Sequence, residues 1–395
     1  MVDRQPKFFG WGFEGDGLTL DEEKMVLDNY AGRFGVDGFE RIPIPTVDQI
    51  ELHGSRVEVP AKLAQICSTK DHDRLTHTYG KSFPDYVRIT DKDFTNAPDI
   101  VAYAKSEDDV DAVMDWATGA NVAVIPFGGG STVVGGIEPA VGNSFAGSLS
   151  LDLTGLDQIL EIDKVSRAAR MQGGIRCPDI EAGLRPHGLT MRHFPQSFDL
   201  ATLGGMIATR SGGHYATVYT HIDDFVESTR MLTPAGAMES RRLPGSGAGP
   251  SPDRMAIGSE GSLGIITEAW VRLQDRPNQR RSAAINFDKF EDAVEAVRQL
   301  TQSGLFPTNV RLLDRMEAML NGAGDGSHDV VVLGFESADH AVDAWMERGL
   351  AIARQLGGKY DEAASKAEDS NTSGAAGAWR NAFIKMPHFR DALIS

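Results

Sequence analysis

From residue 99 onward, short apolar runs alternate with amphipathic stretches. Ile100-Val-Ala-Tyr-Ala104 has the length of a buried strand, and Ser106 follows it as an N-cap with acids in the first turn. Val110, Val113, Met114 and Ala117 recur at helical spacing, and Val122-Ala-Val-Ile125 forms the next strand, so this stretch predicts a β-α-β unit. Ser148-Leu-Ser-Leu-Asp-Leu153 predicts a further strand, and 158–163 with 168–172 predict a hairpin. The segment 179–184 reads as a short helix closed by Pro186 and Gly188. The pair 228–233 and 237–240 reads as a second hairpin, and 264–273 as a strand.

Near Arg280 the pattern restarts. A strand over 282–287 precedes Asp288 as N-cap and a helix with Phe290, Ala293, Val294, Val297 and Leu300 on one face. Strands over 309–313 and 330–335 and a helix over 338–356 complete β-α-β-β-α, most of a ferredoxin-like split βαβ. Before residue 95, aromatics mix with helical patches at 21–33 and 61–66 and with breakers at Pro43, Pro45 and Pro60. Tyr86-Val-Arg-Ile-Thr90 reads as a strand ending this extension. The small, polar stretch 361–378 reads as a connecting loop. Three units are therefore expected: an N-terminal extension over 1–94, a main domain over 95–275, and a partial cap over 276–395.

Composition narrows the class. A chain of 395 residues, 41% hydrophobic and 24% charged, suits a multi-domain soluble protein. With 56 acidic against 39 basic residues, its net charge of -17 argues against nucleic-acid partners. Cys67 and Cys177 make no disulfide framework, and neither a transmembrane run nor a targeting signal is read, so a cytoplasmic location is expected. The ten histidines show no metal spacing. His72 and His77, beside Asp71 and Asp73, read as solvated or capping groups, and no metal is expected.

Three glycine-rich, hydroxyl-bearing segments carry the candidate chemistry: Pro126-Phe-Gly-Gly-Gly-Ser-Thr132, Pro195 to Gly205 with Thr209-Arg-Ser-Gly212, and Gly258 to Thr267. Glycine lets backbone N–H groups approach a diphosphate, and three such loops suggest an extended nucleotide cofactor. A triphosphatase loop is excluded because Gly130 stands where a lysine is required. Gly10-Trp-Gly-Phe-Glu-Gly15 imitates a dinucleotide fingerprint, but no full strand precedes it and Asp16-Gly17 interrupts any following helix.

The order and wording of these loops resemble the PCMH-type FAD-binding domain of the vanillyl-alcohol oxidase and p-cresol methylhydroxylase superfamily. Within it they resemble the alkyldihydroxyacetone-phosphate synthases, through Gly10-Trp-Gly-Phe13, Asn96-Ala-Pro-Asp99 and Phe389-Arg-Asp391. The resemblance implies an α+β fold: a two-part FAD-binding domain carrying a partial ferredoxin-like cap. It implies noncovalent FAD held by Pro126, Gly128, Gly129, Gly130, Ser131 and Thr132 in the first loop. The second contributes Gln196, Ser197, Asp199, Thr202, Gly205, Thr209, Ser211 and Gly212, and the third Glu260, Gly261, Leu263, Gly264 and Ile266. Gln196 departs from the family's aspartate, and Glu260 reads as buried.

Arg210-Ser-Gly-Gly-His214 imitates a histidyl-flavin motif. In flavin oxidases that attach FAD in this way the motif belongs to the first loop, so attachment at His214 is not expected. Arg390 and Arg311 align with synthase arginines and are the candidate substrate-binding residues, because a guanidinium offers a phosphate a planar pair of donors. The implied activity exchanges the acyl chain of acyl-dihydroxyacetone phosphate for a fatty alcohol, in a homodimer with peripheral membrane contact. The alternative on the same scaffold is an FAD-dependent D-2-hydroxy acid dehydrogenase or oxidase; a third class is a non-catalytic flavin-binding protein. The resemblance places the synthases' catalytic tyrosine and histidines well after the position matching Arg390, and so beyond Ser395. The sequence is therefore expected to be a portion of a longer chain or a shortened relative, with its catalytic residues unknown.

Overall fold

The computed structural model describes residues 4–215, 219–243, 247, 249–361 and 374–394. Helix α1 (Leu20–Phe34) starts at a capping box between Thr19 and Glu22 and stops at Gly35. The patch at 61–66 forms only a single 3-10 turn, Ala61–Leu63, before strand β1 (Cys67–Ser68). Helices α2 (Asp71–Thr76) and α3 (Phe83–Thr90) follow. The strand expected over 86–90 is thus a helix. Ser82 and Asp85 form its capping box and Pro84 lies in its first turn, and these start signals outweigh the β-branched residues. Phe9, Tyr79, Tyr86, Ile89 and Phe94 build a core of their own beneath this extension.

Among the described residues the main domain has two large sheets and a separate two-stranded one. In the first, β2 (Ile100–Tyr103), β3 (Val122–Phe127) and β4 (Gly147–Asp152) are parallel, in the order β1-β2-β4-β3. Helix α4 (Glu107–Ala120) crosses over between β2 and β3, starting at the Ser106 capping box and packing Val110, Val113 and Ala117 on the sheet. The second sheet follows β5 (Ile159–Asp163), β6 (Ala168–Gln172), helix α5 (Cys177–Leu184), the short β7 (Leu189–Thr190) and helix α6 (Leu203–Thr209). Strands β8 (Val226–Thr233) and β9 (Gly236–Glu239), helix α7 (Asp253–Ala256) and β10 (Ile265–Arg272) complete it, with β11 (Gln274–Asp275) set apart as the antiparallel partner of β7. Its order is β5-β6-β10-β8-β9, antiparallel throughout. The sheets are clamped by Arg230, whose guanidinium grips Glu107 through Nε at 2.8 Å and Nη2 at 2.9 Å.

The cap comprises β12 (Gln279–Phe287), α8 (Phe290–Gln302), β13 (Asn309–Leu313), α9 (Arg315–Leu320), β14 (Asp329–Ser337) and α10 (Asp343–Gln355). The sheet order β12-β14-β13, with β14 antiparallel to both neighbours, is that of a split βαβ. Among the described residues, a single bridge, Asn286 to Lys359, continues pairing on the outer edge of β12. Strand alternation divides β14: Val331, Leu333 and Phe335 pack under α8 and α10, whereas Val330 and Val332 join Leu313 on the other face. That second face is covered by Phe383 and Met386 of α11 (Gly374–Ile394). The loop expected over 361–378 is helical in its last residues, 374–378, and residues 362–373 of that expectation lie outside the described residues. Ser395, the residue beyond which the family's tyrosine and histidines are expected, likewise lies outside the described residues. Among the described residues, no helix is long and apolar enough to cross a membrane.

Candidate functional site

Strand β3 delivers the first glycine loop to the junction of the two sheets. Phe127, at its end, packs on the imidazole of His77 with ring centroids 4.2 Å apart. His77 is the C-cap residue of α2, with Nδ1 2.7 Å from the Asp73 carbonyl, and it is buried 3.0 Å from the Asp152 carboxylate, so of its two expected readings the capping one holds and the solvated one does not. Gly129 lies against the chain entering α6, where a Cβ would collide with the carbonyl oxygen of Leu200. Gly261, in the third segment, adopts φ +81° and would place a Cβ 3.0 Å from the Pro126 ring. The glycines therefore let three loops touch each other as well as a ligand.

The loops enclose a cavity of about 370 Å³. It is lined by Pro126, Gly128, Gly129, Gly130, Ser131 and Thr132 from the first loop. Ser197, Thr202, Gly205, Thr209 and Ser211 come from the second, and Glu260, Gly261, Gly264 and Ile266 from the third. Gln196, Asp199, Gly212 and Leu263 are not among the lining residues. Gln196 turns its amide to Met386 Sδ at 3.1 Å, Gly212 pairs with His221, and Leu263 is exposed. Glu260, expected to be buried, is exposed with φ +47°. Gly173, Met206, Val133, Val134 and Leu153 also line the cavity and were missed. The Gly173-Gly174 pair directly after β6 was a readable signal for one of them, while the apolar residues carry none.

FAD fits this cavity. Among the described residues, the backbone N–H groups of Gly129, Gly130, Ser131 and Thr132 have no protein acceptor. Four unpaired donors beside serine and threonine hydroxyls are what a diphosphate requires. Among the described residues, Glu260 is the one carboxylate in the lining. Behind the site, His193 is buried, with Nε2 3.3 Å from Ser211 Oγ, and burial next to His221 pushes its imidazole down to about 4.

The two candidate arginines have different surroundings. Arg311, on β13, donates to the His214 carbonyl at 3.0 Å and leaves Nε without a partner. Arg390, on α11, donates through Nη1 to the Lys81 carbonyl and through Nη2 to the Tyr86 hydroxyl, both at 2.7 Å. Its guanidinium lies 4.7 Å from the centre of the Tyr86 ring and 5.9 Å from that of Trp11, and its Nε has no acceptor.

Residues 98–240 match the family model of an FAD binding domain, and residues 276–394 match the C-terminal domain of FAD linked oxidases. Over 258 residues the chain is 38% identical to the alkyldihydroxyacetonephosphate synthase of Dictyostelium discoideum, covering 65% of this chain and 42% of that protein. A solved structure of an alkyldihydroxyacetonephosphate synthase superposes with a TM-score of 0.83 at 26% identity, over 98% of this chain and 78% of that one. The chain belongs to the FAD-linked oxidases, and within them it is similar to the alkyldihydroxyacetonephosphate synthases. FAD is the cofactor of its main domain. A mitochondrial D-lactate dehydrogenase of Arabidopsis thaliana is more distant, 27% identical over 316 residues, covering 78% of this chain and 54% of that protein. The chain spans about half the length of the curated synthases it matches.

Proposed function

We propose that the protein acts as an alkyldihydroxyacetone-phosphate synthase, exchanging the acyl chain of acyl-dihydroxyacetone phosphate for a fatty alcohol. The observation that carries this reading is the greater identity to synthases than to the D-lactate enzyme, together with an arginine, Arg390, whose Nε is unpartnered. When bound, FAD supplies the electron-accepting ring on which substrate activation depends. In this reading the N–H groups of Gly129 to Thr132 bind the diphosphate, and the Ser197, Thr202 and Ser211 hydroxyls orient the cofactor. The apolar wall of Met206, Val133 and Leu153 excludes water from it. Arg390 offers its unpartnered Nε–H to the substrate phosphate, and Arg311, bonded to the His214 carbonyl, fixes the cap against the flavin domain.

The proposal includes noncovalent FAD, a homodimer with peripheral membrane contact, and a cytoplasmic location; sedimentation velocity tests the dimer. The decisive experiment mixes the yellow protein anaerobically with acyl-dihydroxyacetone phosphate and, separately, with D-lactate while the flavin spectrum is followed. A spectral change with the lipid phosphate and none with D-lactate supports the synthase. Full reduction by D-lactate overturns it in favour of a D-2-hydroxy acid dehydrogenase.

A further inference from the structure

Lys81 is a lysine that the fold buries without pairing. It is 8% exposed, and its ammonium has no hydrogen-bond or ion-pair partner among the described residues. Its backbone is fixed at both ends: the N–H donates to the Thr132 carbonyl of the first glycine loop at 2.7 Å, and the carbonyl accepts from Arg390 Nη1. Both chain segments that bracket the ammonium are therefore held in register with the cavity loop and with α11.

The charged groups around Lys81 are Asp391 and Arg390 on α11, Asp85 on α3, and Lys7 from the N-terminal turn. Both carboxylates are engaged elsewhere. Asp391 accepts from the Trp11 N–H at 2.5 Å and the Tyr86 hydroxyl at 3.0 Å, and Asp85 accepts from the Ser82 N–H at 2.9 Å. Lys7 gives its own ammonium to the Asp16 carbonyl. Asp391 also lies 3.7 Å from Arg390 Nη2 and Asp85 3.8 Å from Arg88, so neither carboxylate is given over to Lys81. Burial, opposed by Asp391 and reinforced by Arg390, pushes the Lys81 ammonium down to about 8. A buried, unpaired cation is costly unless an anion completes it.

We propose that Lys81, whose backbone carbonyl accepts from Arg390 Nη1, is a phosphate-binding residue that holds the phosphate monoester of the substrate. This rests on the synthase reading given above. The same chemistry would suit one phosphate of FAD, because Thr132 belongs to the cofactor loop; Lys81 itself is not among the cavity-lining residues, and the ester is the assigned ligand. A protonated Lys81 attracts the dianion and a neutral one does not, so affinity falls as pH rises through about 8.

The test uses the full chain with FAD, as wild type, Lys81→Met and Lys81→Arg. Flavin content is measured first. Binding of dihydroxyacetone phosphate and of unphosphorylated dihydroxyacetone is then followed by flavin difference spectra from pH 7.5 to 9.5, above the second ionisation of the ester. Lys81→Met should keep its FAD, lose roughly 10- to 100-fold in affinity for the phosphate ester, and bind dihydroxyacetone as wild type does. Lys81→Arg, whose charge is fixed, should bind the ester with no decline above pH 8. Normal ester binding by Lys81→Met overturns the role of Lys81 while leaving the synthase reading intact. Loss of FAD from a folded Lys81→Met assigns the phosphate to the cofactor and overturns the substrate assignment. A wild type that does not distinguish the ester from dihydroxyacetone overturns both readings. Should Lys81→Met not fold, the Arg variant decides, since an unchanged decline above pH 8 excludes Lys81 as its source.

Discussion

The backbone N–H of Trp11 donates to Asp391 Oδ2 at 2.5 Å, across 380 residues of chain. The other oxygen of that carboxylate accepts from the Tyr86 hydroxyl, which in turn accepts from Arg390. One carboxylate thus ties the N-terminal turn and α3 to the last described helix, beside the arginine proposed to meet substrate. Asp391→Ala leaves a buried tyrosine hydroxyl without its acceptor and should lower the unfolding free energy by about 2–3 kcal/mol, measured by urea denaturation. Flavin content should hold at low temperature, because none of these groups lines the cavity. An unchanged midpoint would show that the extension is held elsewhere.

Gly129→Ala tests whether the first loop is glycine-rich for the ligand alone. The added methyl group points at the Leu200 carbonyl, so the clash exists before FAD binds. Both the flavin-stripped and the flavin-loaded protein should melt earlier, with a cost of at least about 2 kcal/mol, and flavin content should fall with them. Normal stability of the stripped protein, with loss of FAD only, would return the position to a purely ligand-facing role.

His214 bears on how FAD is attached. Its ring packs 4.8 Å from that of Phe383, its Nε2 lies 3.2 Å from Asn309 Nδ2, and it is not among the residues lining the cavity. Acid precipitation should therefore release all of the yellow colour into the supernatant. Flavin retained in the pellet, and lost from it in His214→Ala, would establish a covalent link.

Much of the cavity lining was legible because close-packed glycine loops fall on residue types that little else explains. Pro126, Gly129 and Gly261 read as loop positions from sequence, and they meet in one cavity. The ferredoxin-like cap was legible from the order of its elements and from the helical spacing of α8, which buries Ala293, Ala296 and Leu300. The misread elements have physical causes. Tyr86 to Thr90 carries β-formers, but Ser82, Pro84 and Asp85 start a helix ahead of them. Glu260 follows the apolar Met255-Ala-Ile257, yet its backbone turns left-handed and carries the side chain outward. Lys81 and Arg390 are 309 residues apart, and no local pattern announces that one would cap the other's carbonyl.

His193 gives the site a pH dependence with a defined sign. Its imidazole lies 2% exposed behind Ser211 and edge-on to Phe225, with ring centroids 5.4 Å apart, and Nδ1 has no partner. Burial next to His221 depresses its folded-state value to about 4, whereas in the unfolded chain a histidine titrates near 6.5. The unfolded state therefore takes up the proton first, so the native state is fully favoured above about pH 6.5 and loses stability as pH falls toward 4. Between pH 6.5 and 5 the loss from this group should be about 2 kcal/mol, in a window that precedes most carboxylate titration. His193→Gln removes the titrating ring, so its unfolding free energy should be lower at pH 7 but flatter across that window. Urea denaturation at half-unit pH steps measures both slopes. Ser211 lines the cavity and hydrogen-bonds to this imidazole, which stays neutral in the native state until pH nears 4, so flavin affinity in wild type should hold across that window and weaken only as pH approaches 4, and not in the variant. Parallel slopes in the two proteins would place the acid sensitivity on other groups.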